Sequence, residues 1–217
     1  MDNPFVNGPK AVCYSSSVKY LDGLNEAQKQ AVLHTEGPLL IVAGAGAGKT
    51  KTITHRIAHL IERGVPAHKI LAVTFTNKAA GEMRERVRKL LDGKGGIPLL
   101  TTFHSLGVRL LREFHAEAGI PRSFSIWDRD DSIKALKAVL GEIGSDMAPK
   151  SVLSAISRQK GDGVTGGEYA ERASDYKSRL VVRAWDQYEK ALTREGALDF
   201  DDLLLRTLTP FRNSPKV

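Results

Sequence analysis

The sequence predicts an α/β fold: a parallel sheet with helices on both faces, joined to an all-helical region. Three observations predict it. Up to about residue 125, short apolar runs alternate with segments of helical period, as in a sheet buried on both faces. The first of these runs, residues 39–43, leads straight into a glycine-rich turn and then an amphipathic helix. Beyond residue 125 only helical periodicity is left.

Residues 1–20 carry Pro4, Gly8, Pro9 and Ser15-Ser16-Ser17 without any period, and read as a loose leader. Asn25 is placed to cap a helix through Gln28, Ala31, Val32 and Leu33, which Gly37-Pro38 stops. Residues 39–43 read as a doubly buried strand. The helix after the glycine-rich turn sets Ile53, Ile57, Leu60 and Ile61 on one side and ends at Gly64. Residues 70–73 read as a second buried strand. Thr76 opens a helix whose stripe is Ala79, Ala80, Met83, Val87 and Leu90. Residues 99–103 make a third strand, and Ser105 starts a helix through Leu106, Leu110, Leu111 and Phe114.

The helical region follows. Asp128 caps a helix carrying Ile133, Leu136, Val139 and Leu140. Pro149 precedes another, with Val152, Leu153 and Ile156. Glycines 161, 163, 166 and 167 mark residues 159–167 as a loop. A longer helix carries Leu180, Val181, Ala184, Trp185, Tyr188 and Leu192 up to Gly196, and Asp199 begins a last short one. The expected domains are a leader (1–20), a first α/β segment (21–125), a helical insertion (126–195) and a return to the α/β domain (196–217).

The 217 residues include 41% hydrophobic ones, enough for one or two domains with a real core. Lys and Arg number 32 against 25 Asp and Glu, a net charge of +7, which points modestly to a polyanionic partner. Cys13 is the one cysteine, so neither an intramolecular disulfide nor a cysteine-based zinc site is available. No apolar run approaches the ~18 residues that span a bilayer, and no signal-peptide pattern opens the chain. A cytoplasmic protein with no membrane partner is expected.

Ala43-Gly44-Ala45-Gly46-Ala47-Gly48-Lys49-Thr50 is the strongest motif. It stands between an expected strand and an expected helix, as a P-loop requires. Glycines let backbone N–H groups curl around phosphates, and the helix turns its positive end toward them. Lys49 would neutralise the β- and γ-phosphates, and Thr50 would ligate Mg²⁺. The generic pattern begins with Gly where this chain has Ala43. Asn77-Lys78 imitates a guanine-reading motif, but Ala80 stands where that motif needs Asp, which excludes a GTPase.

Four motifs in order extend this reading. They are Leu24-Asn25-x-x-Gln28-x-x-Ala31-Val32, the P-loop, Thr74-Phe75-Thr76-Asn77-Lys78-Ala79-Ala80 and Thr102-Phe103-His104-Ser105. Together with Phe124-Ser125-Ile126, Asp128 and the run Leu198-Asp199-Phe200-Asp201-Asp202-Leu203, the chain from residue 21 to about 213 resembles superfamily 1 DNA helicases of the UvrD, Rep and PcrA type. The resemblance implies a RecA-like motor domain with an all-α inserted subdomain, using ATP and Mg²⁺ to move 3′ to 5′ on single-stranded DNA and unwind duplex. It implies that Gln28 reads adenine, that residues 43–51 hold the nucleotide, and that Phe75 stacks on a base while Thr76 and Asn77 donate to phosphates. His104 and Ser105, where the third strand ends and a helix opens, are candidates to bind a DNA phosphate at that helix terminus. Ala47 replaces the family's usual Ser, and Lys51 its frequent Arg.

Each assignment has a plainer alternative at this stage. Gln28 also has the spacing of a capping box with Asn25. Phe75 would serve equally as a core aromatic. Residues 51–90 hold nine Lys/Arg against three Asp/Glu, so Arg84, Arg86 and Arg88 suit either a strand-binding groove or a solvated surface. His104 would serve as a local cap, and Trp185 and Tyr188 as core.

The family's Asp-Glu pair, which holds Mg²⁺ and positions the attacking water, is not found in these 217 residues, nor is a second motor domain. The chain therefore reads as an N-terminal fragment, with the remaining helicase domains as partners. Alone it would bind nucleotide and DNA yet hydrolyse ATP poorly. The alternatives are a non-catalytic nucleotide- and strand-binding module and a small-molecule kinase; the kinase leaves the Thr74–Ala80 motif unexplained.

Overall fold

The computed structural model describes residues 19–213. The expected leader lies outside them except for its last two residues. These belong to a 3₁₀ turn, Lys19–Leu21, whose Tyr20 is buried. The chain is α/β, mostly helical with small parallel sheets, and divides between Thr102 and Phe103 into two compact units.

In the first unit, helix α1 (Glu26–Leu33) starts at Asn25, whose side chain accepts from the Gln28 N–H in a complete capping box. Helix α2 (Lys49–Glu62) follows the glycine-rich turn. Strand β1 (Leu71–Thr74), helix α3 (Asn77–Leu90) and strand β2 (Leu99–Thr102) form a β-α-β unit. The strands run parallel, with Leu71 opposite Leu99 and Thr74 opposite Thr102. Thr76 caps α3, which buries Ala80, Met83 and Val87. The core gathers Tyr20, Val32, Ile57, Ile70, Val87 and Leu100. Tyr20 bonds through its hydroxyl to Nδ1 of His59 at 2.8 Å, and its carbonyl meets His55.

Two expectations for this unit need correction. Residues 39–43 form no ladder, and Leu40 and Val42 are 86% and 87% exposed. An apolar run signals burial, but a strand exists only through its neighbours, and none of the described strands pairs with this run. On α2 the expected Ile57 is buried and Leu60 and Ile61 pack against the same core, but Ile53 is exposed, and Thr52, His55, Ala58 and His59 are buried in addition. The hydrogen bonds of Tyr20 let His55 and His59 take buried positions that apolar periodicity does not mark.

In the second unit, helix α4 (Phe103–Glu113) begins two residues before the expected Ser105. Strand β3 (Ser125–Ile126) precedes helix α5 (Arg129–Glu142), which Asp128 caps in a box with Asp131. Helices α6 (Pro149–Gly161), α7 (Gly166–Arg172) and α8 (Tyr176–Arg194) follow, then strand β4 (Ala197–Leu198), α9 (Asp202–Leu205) and α10 (Leu208–Asn213). Leu136, Val152, Ile156, Trp185, Tyr188 and Leu192 share the main core. A smaller core joins Leu111, Phe124, Leu198 and Leu203.

Here too the structure departs from expectation. Strands do not end at residue 125: β3 and β4 pair in parallel, Ser125 opposite Ala197 and Ile126 opposite Leu198. Two residues are too few for a periodicity to register. The expected glycine loop holds the end of α6 and the start of α7, because Thr165 and Glu168 form a capping box that offsets two glycines in the first turn.

Candidate functional site

The glycine-rich turn is shaped by two left-handed residues, Gly46 at φ 77° and Gly48 at φ 79°. A side chain at either would be strained. At Gly48 a Cβ would also come within 2.8 Å of Nε2 of Gln28. Gly48 is the N-cap of α2, so the unpaired N–H groups of that helix's first turn open onto the loop. The Thr52 hydroxyl donates to the Gly48 carbonyl at 3.1 Å and ties the loop to the helix.

Lys49 arches over this loop. Its ammonium donates to the carbonyls of Ala43 and Gly44, both at 2.7 Å. Gly44, Ala45, Gly46, Ala47, Lys49 and Thr50 are all exposed. Lys51 donates to the Gly23 carbonyl at 2.7 Å, fastening the segment before α1.

Gln28 joins helix α1 to the loop. Its Oε1 accepts from the Asn25 N–H at 3.1 Å, and its Nε2 donates to the Ala47 carbonyl at 3.0 Å. The capping box is thus formed, yet one amide proton and one lone pair are left over. Beside them a cleft of about 280 Å³ is walled by Ala27, Ala31, Ile41 and Val42, with Gln28 and Lys49 among its polar lining. A small apolar cleft with a few convergent polar groups is the usual form of a ligand pocket. Among the described residues no cluster of three His, Cys, Asp or Glu side chains could hold a metal.

Phe75 stands between the end of β1 and the cap of α3 and is 89% exposed, which removes the core-aromatic alternative. The Thr76 hydroxyl oxygen accepts from the Ala79 N–H at 3.1 Å, so its own proton can still be donated. Asn77 is the exposed first residue of α3. The basic face expected from three arginines is smaller than the sequence suggests. Arg84 donates to the Leu100 carbonyl at 2.8 Å, and Arg88 pairs with Glu85. All three remain exposed, but among the described residues only Arg86 has no such internal partner.

In the second unit, His104 and Ser105 lie in the first turn of α4. The His104 ring packs on that of Phe200, centroids 4.6 Å apart. The run around Phe200 is held by a buried network that sequence reasoning missed. Lys160 Nζ sits 2.8 Å from Glu189, 2.8 Å from Asp199 and 2.9 Å from Asp202. Arg206 bonds Glu189 at 2.8 Å, and the Tyr188 hydroxyl donates to Asp199 at 3.2 Å. Ser157 donates to Asp201. Burial pulls the Lys160 pKa down, but the Asp202, Asp199 and Glu189 carboxylates outweigh it and hold the ammonium above its usual value. Burial raises Asp202 to about 6 against the pull of Lys160. Burial also raises the Tyr188 hydroxyl, helped by Asp199. Sequence offered one usable hint: Lys160 stands one turn beyond Ile156 on the apolar side of its helix.

A family model described as the UvrD/REP helicase N-terminal domain matches residues 24–217. An ATP-dependent DNA helicase PcrA of Staphylococcus aureus is 43% identical over 201 residues, which is 91% of this chain and 28% of that protein. The ATP-dependent DNA helicase PcrA of Bacillus subtilis is 42% identical over 205 residues, 93% of this chain and 28% of that protein. The chain thus spans about 28% of the length of the curated relatives it matches.

Proposed function

The chain belongs to the UvrD/REP helicase N-terminal domain family, and from that premise we propose that it is the ATP-binding part of an ATP-dependent DNA helicase that moves 3′ to 5′ on single-stranded DNA and unwinds duplex. One observation carries the reading most: the loop of Gly46 and Gly48 opens onto the start of α2 with Lys49 above it and the Gln28 cleft at its side.

Loop amides and the first N–H groups of α2 bind the triphosphate. Lys49 exchanges two backbone carbonyls for phosphate oxygens, a stronger charge-assisted pairing. The unspent donor and acceptor of Gln28 face the adenine edge from the rim of the cleft. Thr50 is the residue that would hold a bound Mg²⁺, which would supply charge neutralisation for the triphosphate. Phe75 stacks on a base of the strand while Thr76 and Asn77 donate to its phosphates. His104 and Ser105 add a second set of DNA contacts.

Residues 21–125 are read as a RecA-like motor segment to which residues 196–217 return, with residues 126–195 as an all-α insertion. The pairing of β3 with β4 supports this, because it brings residues 126 and 198 side by side. A segment whose two ends are adjacent can be inserted without disturbing its host. The partners are single-stranded and duplex DNA and the other domains of the helicase. Among the described residues no helix is long and apolar enough to cross a membrane.

Lys49→Ala tests the assignment. Calorimetric titration with a non-hydrolysable ATP analogue and magnesium should show binding to the unmodified chain and loss of at least tenfold in the variant. Equal affinities would exclude the P-loop as the nucleotide site. Rapid DNA-stimulated ATP turnover by these 217 residues would overturn the expectation of weak hydrolysis.

A further inference from the structure

Helix α4 and the turn that follows it build a cleft of about 530 Å³, lined by Ser105, Val108, Arg109, Arg112, Glu113 and Arg122. Ser105, Arg109 and Arg112 follow one another at helical spacing along one face of α4. Arg122 closes the row from the turn. All three arginines are exposed.

Among the described residues no carboxylate pairs with them. Elsewhere Arg56 and Arg84 end on backbone carbonyls, and Arg88, Arg194 and Arg206 end on carboxylates. Among the described residues, Arg109, Arg112 and Arg122 form no ion pair, although Glu113 lines the same cleft. Arg112 lies over the Phe124 ring, 5.5 Å from its centroid, a contact with the ring's π face that uses no carboxylate or carbonyl acceptor.

We infer that this cleft binds the phosphate backbone of duplex DNA. A row of guanidiniums along a helix face suits a repeated anion, and each planar fork matches a phosphate bidentately. The choice of duplex over single strand follows from what the lining lacks. Single-strand sites pair a basic groove with aromatic rings for unstacked bases. None of the six lining residues is aromatic, and the adjacent Phe124 ring is buried beneath Arg112. Such a cleft holds phosphates and reads no base. The inference rests on the proposed DNA-handling role and assigns it a second contact surface.

The test uses the whole chain, a fluorescent blunt duplex and a fluorescent single strand of equal length, titrated by anisotropy across a salt series. Arg109→Ala/Arg122→Ala removes two exposed side chains that pair with no carboxylate among the described residues, so its melting temperature should match the unmodified chain. Duplex affinity should fall on the order of tenfold, and the slope of log affinity against log salt should shrink by about two. Single-strand affinity should change less than about twofold. Arg109→Lys/Arg122→Lys keeps both charges and should keep the slope. An unchanged duplex slope in the alanine variant overturns the inference, as does an equal loss for single strand or a lost slope in the lysine variant. Absence of binding to either DNA by the unmodified chain would overturn the proposed function as well.

Discussion

The ammonium of Lys160 lies 2.8 Å from Oδ2 of Asp199, although the two residues are 39 positions apart in the chain. That contact fastens α6 to the turn that displays Phe200. Phe200 itself is 55% exposed against His104, while Asp199, Asp201 and Asp202 on either side are tied to α6 through Lys160 and Ser157. The acids of this run therefore act as anchors for an aromatic ring.

Removing Lys160 should be severe. Lys160→Ala leaves Asp199, Asp202 and Glu189 near one another without their shared cation. Breaking a buried pair in this way costs roughly 3–5 kcal/mol. Urea denaturation followed by tryptophan fluorescence, with Trp185 in the same core, should show a midpoint far below that of the unmodified chain. A midpoint within experimental error would mean the network is not formed.

Stability should respond to pH through Asp202. Burial raises its folded pKa to about 6, above the ordinary value near 3.9 of an unfolded chain. The folded state binds the proton more readily between these values, so this group's contribution to stability falls as pH rises from about 4 to about 6. His59 works the other way in the first unit. Burial, then Arg63 and Arg56, lowers its pKa, so its contribution is complete above about 6.5 and is lost below that value, as pH falls through the lower folded pKa. Melting curves at pH 7 and pH 5 should separate them. Asp202→Asn should lose more stability on acidification than the unmodified chain does, because it lacks the compensating group.

Gly48→Ala should weaken the loop twice over. The left-handed backbone costs a non-glycine residue about 1–2 kcal/mol, and the new Cβ would press on Gln28. Both effects displace the amide that meets Ala47. Nucleotide affinity should fall at least tenfold, with a modest drop in melting temperature. Retained affinity would show that the left-handed turn is dispensable.

Phe75→Ala should leave thermal stability almost unchanged, because the ring is 89% exposed. Single-strand binding should weaken by about 1–3 kcal/mol, the worth of one base–aromatic stack. A large loss of stability with unchanged binding would instead make Phe75 structural.

Much of this molecule is legible without coordinates. Caps and breakers act within four or five residues, so Asn25, Thr76, Asp128, Pro149 and Gly64 marked helix ends that the structure repeats. The loop with Gly46, Gly48 and Lys49 is equally local, because its shape follows from which residues tolerate positive φ. Distant partners decided the rest. Whether residues 39–43 become a strand depends on a neighbour that no apolar run can specify. Whether Arg84 faces a ligand or the Leu100 carbonyl depends on how α3 packs on β2. Lys160 reads as one more surface charge until the fold encloses it between Asp199, Asp202 and Glu189. Side-chain chemistry is written residue by residue, but burial and pairing arise only when segments far apart in the chain share the same dry space.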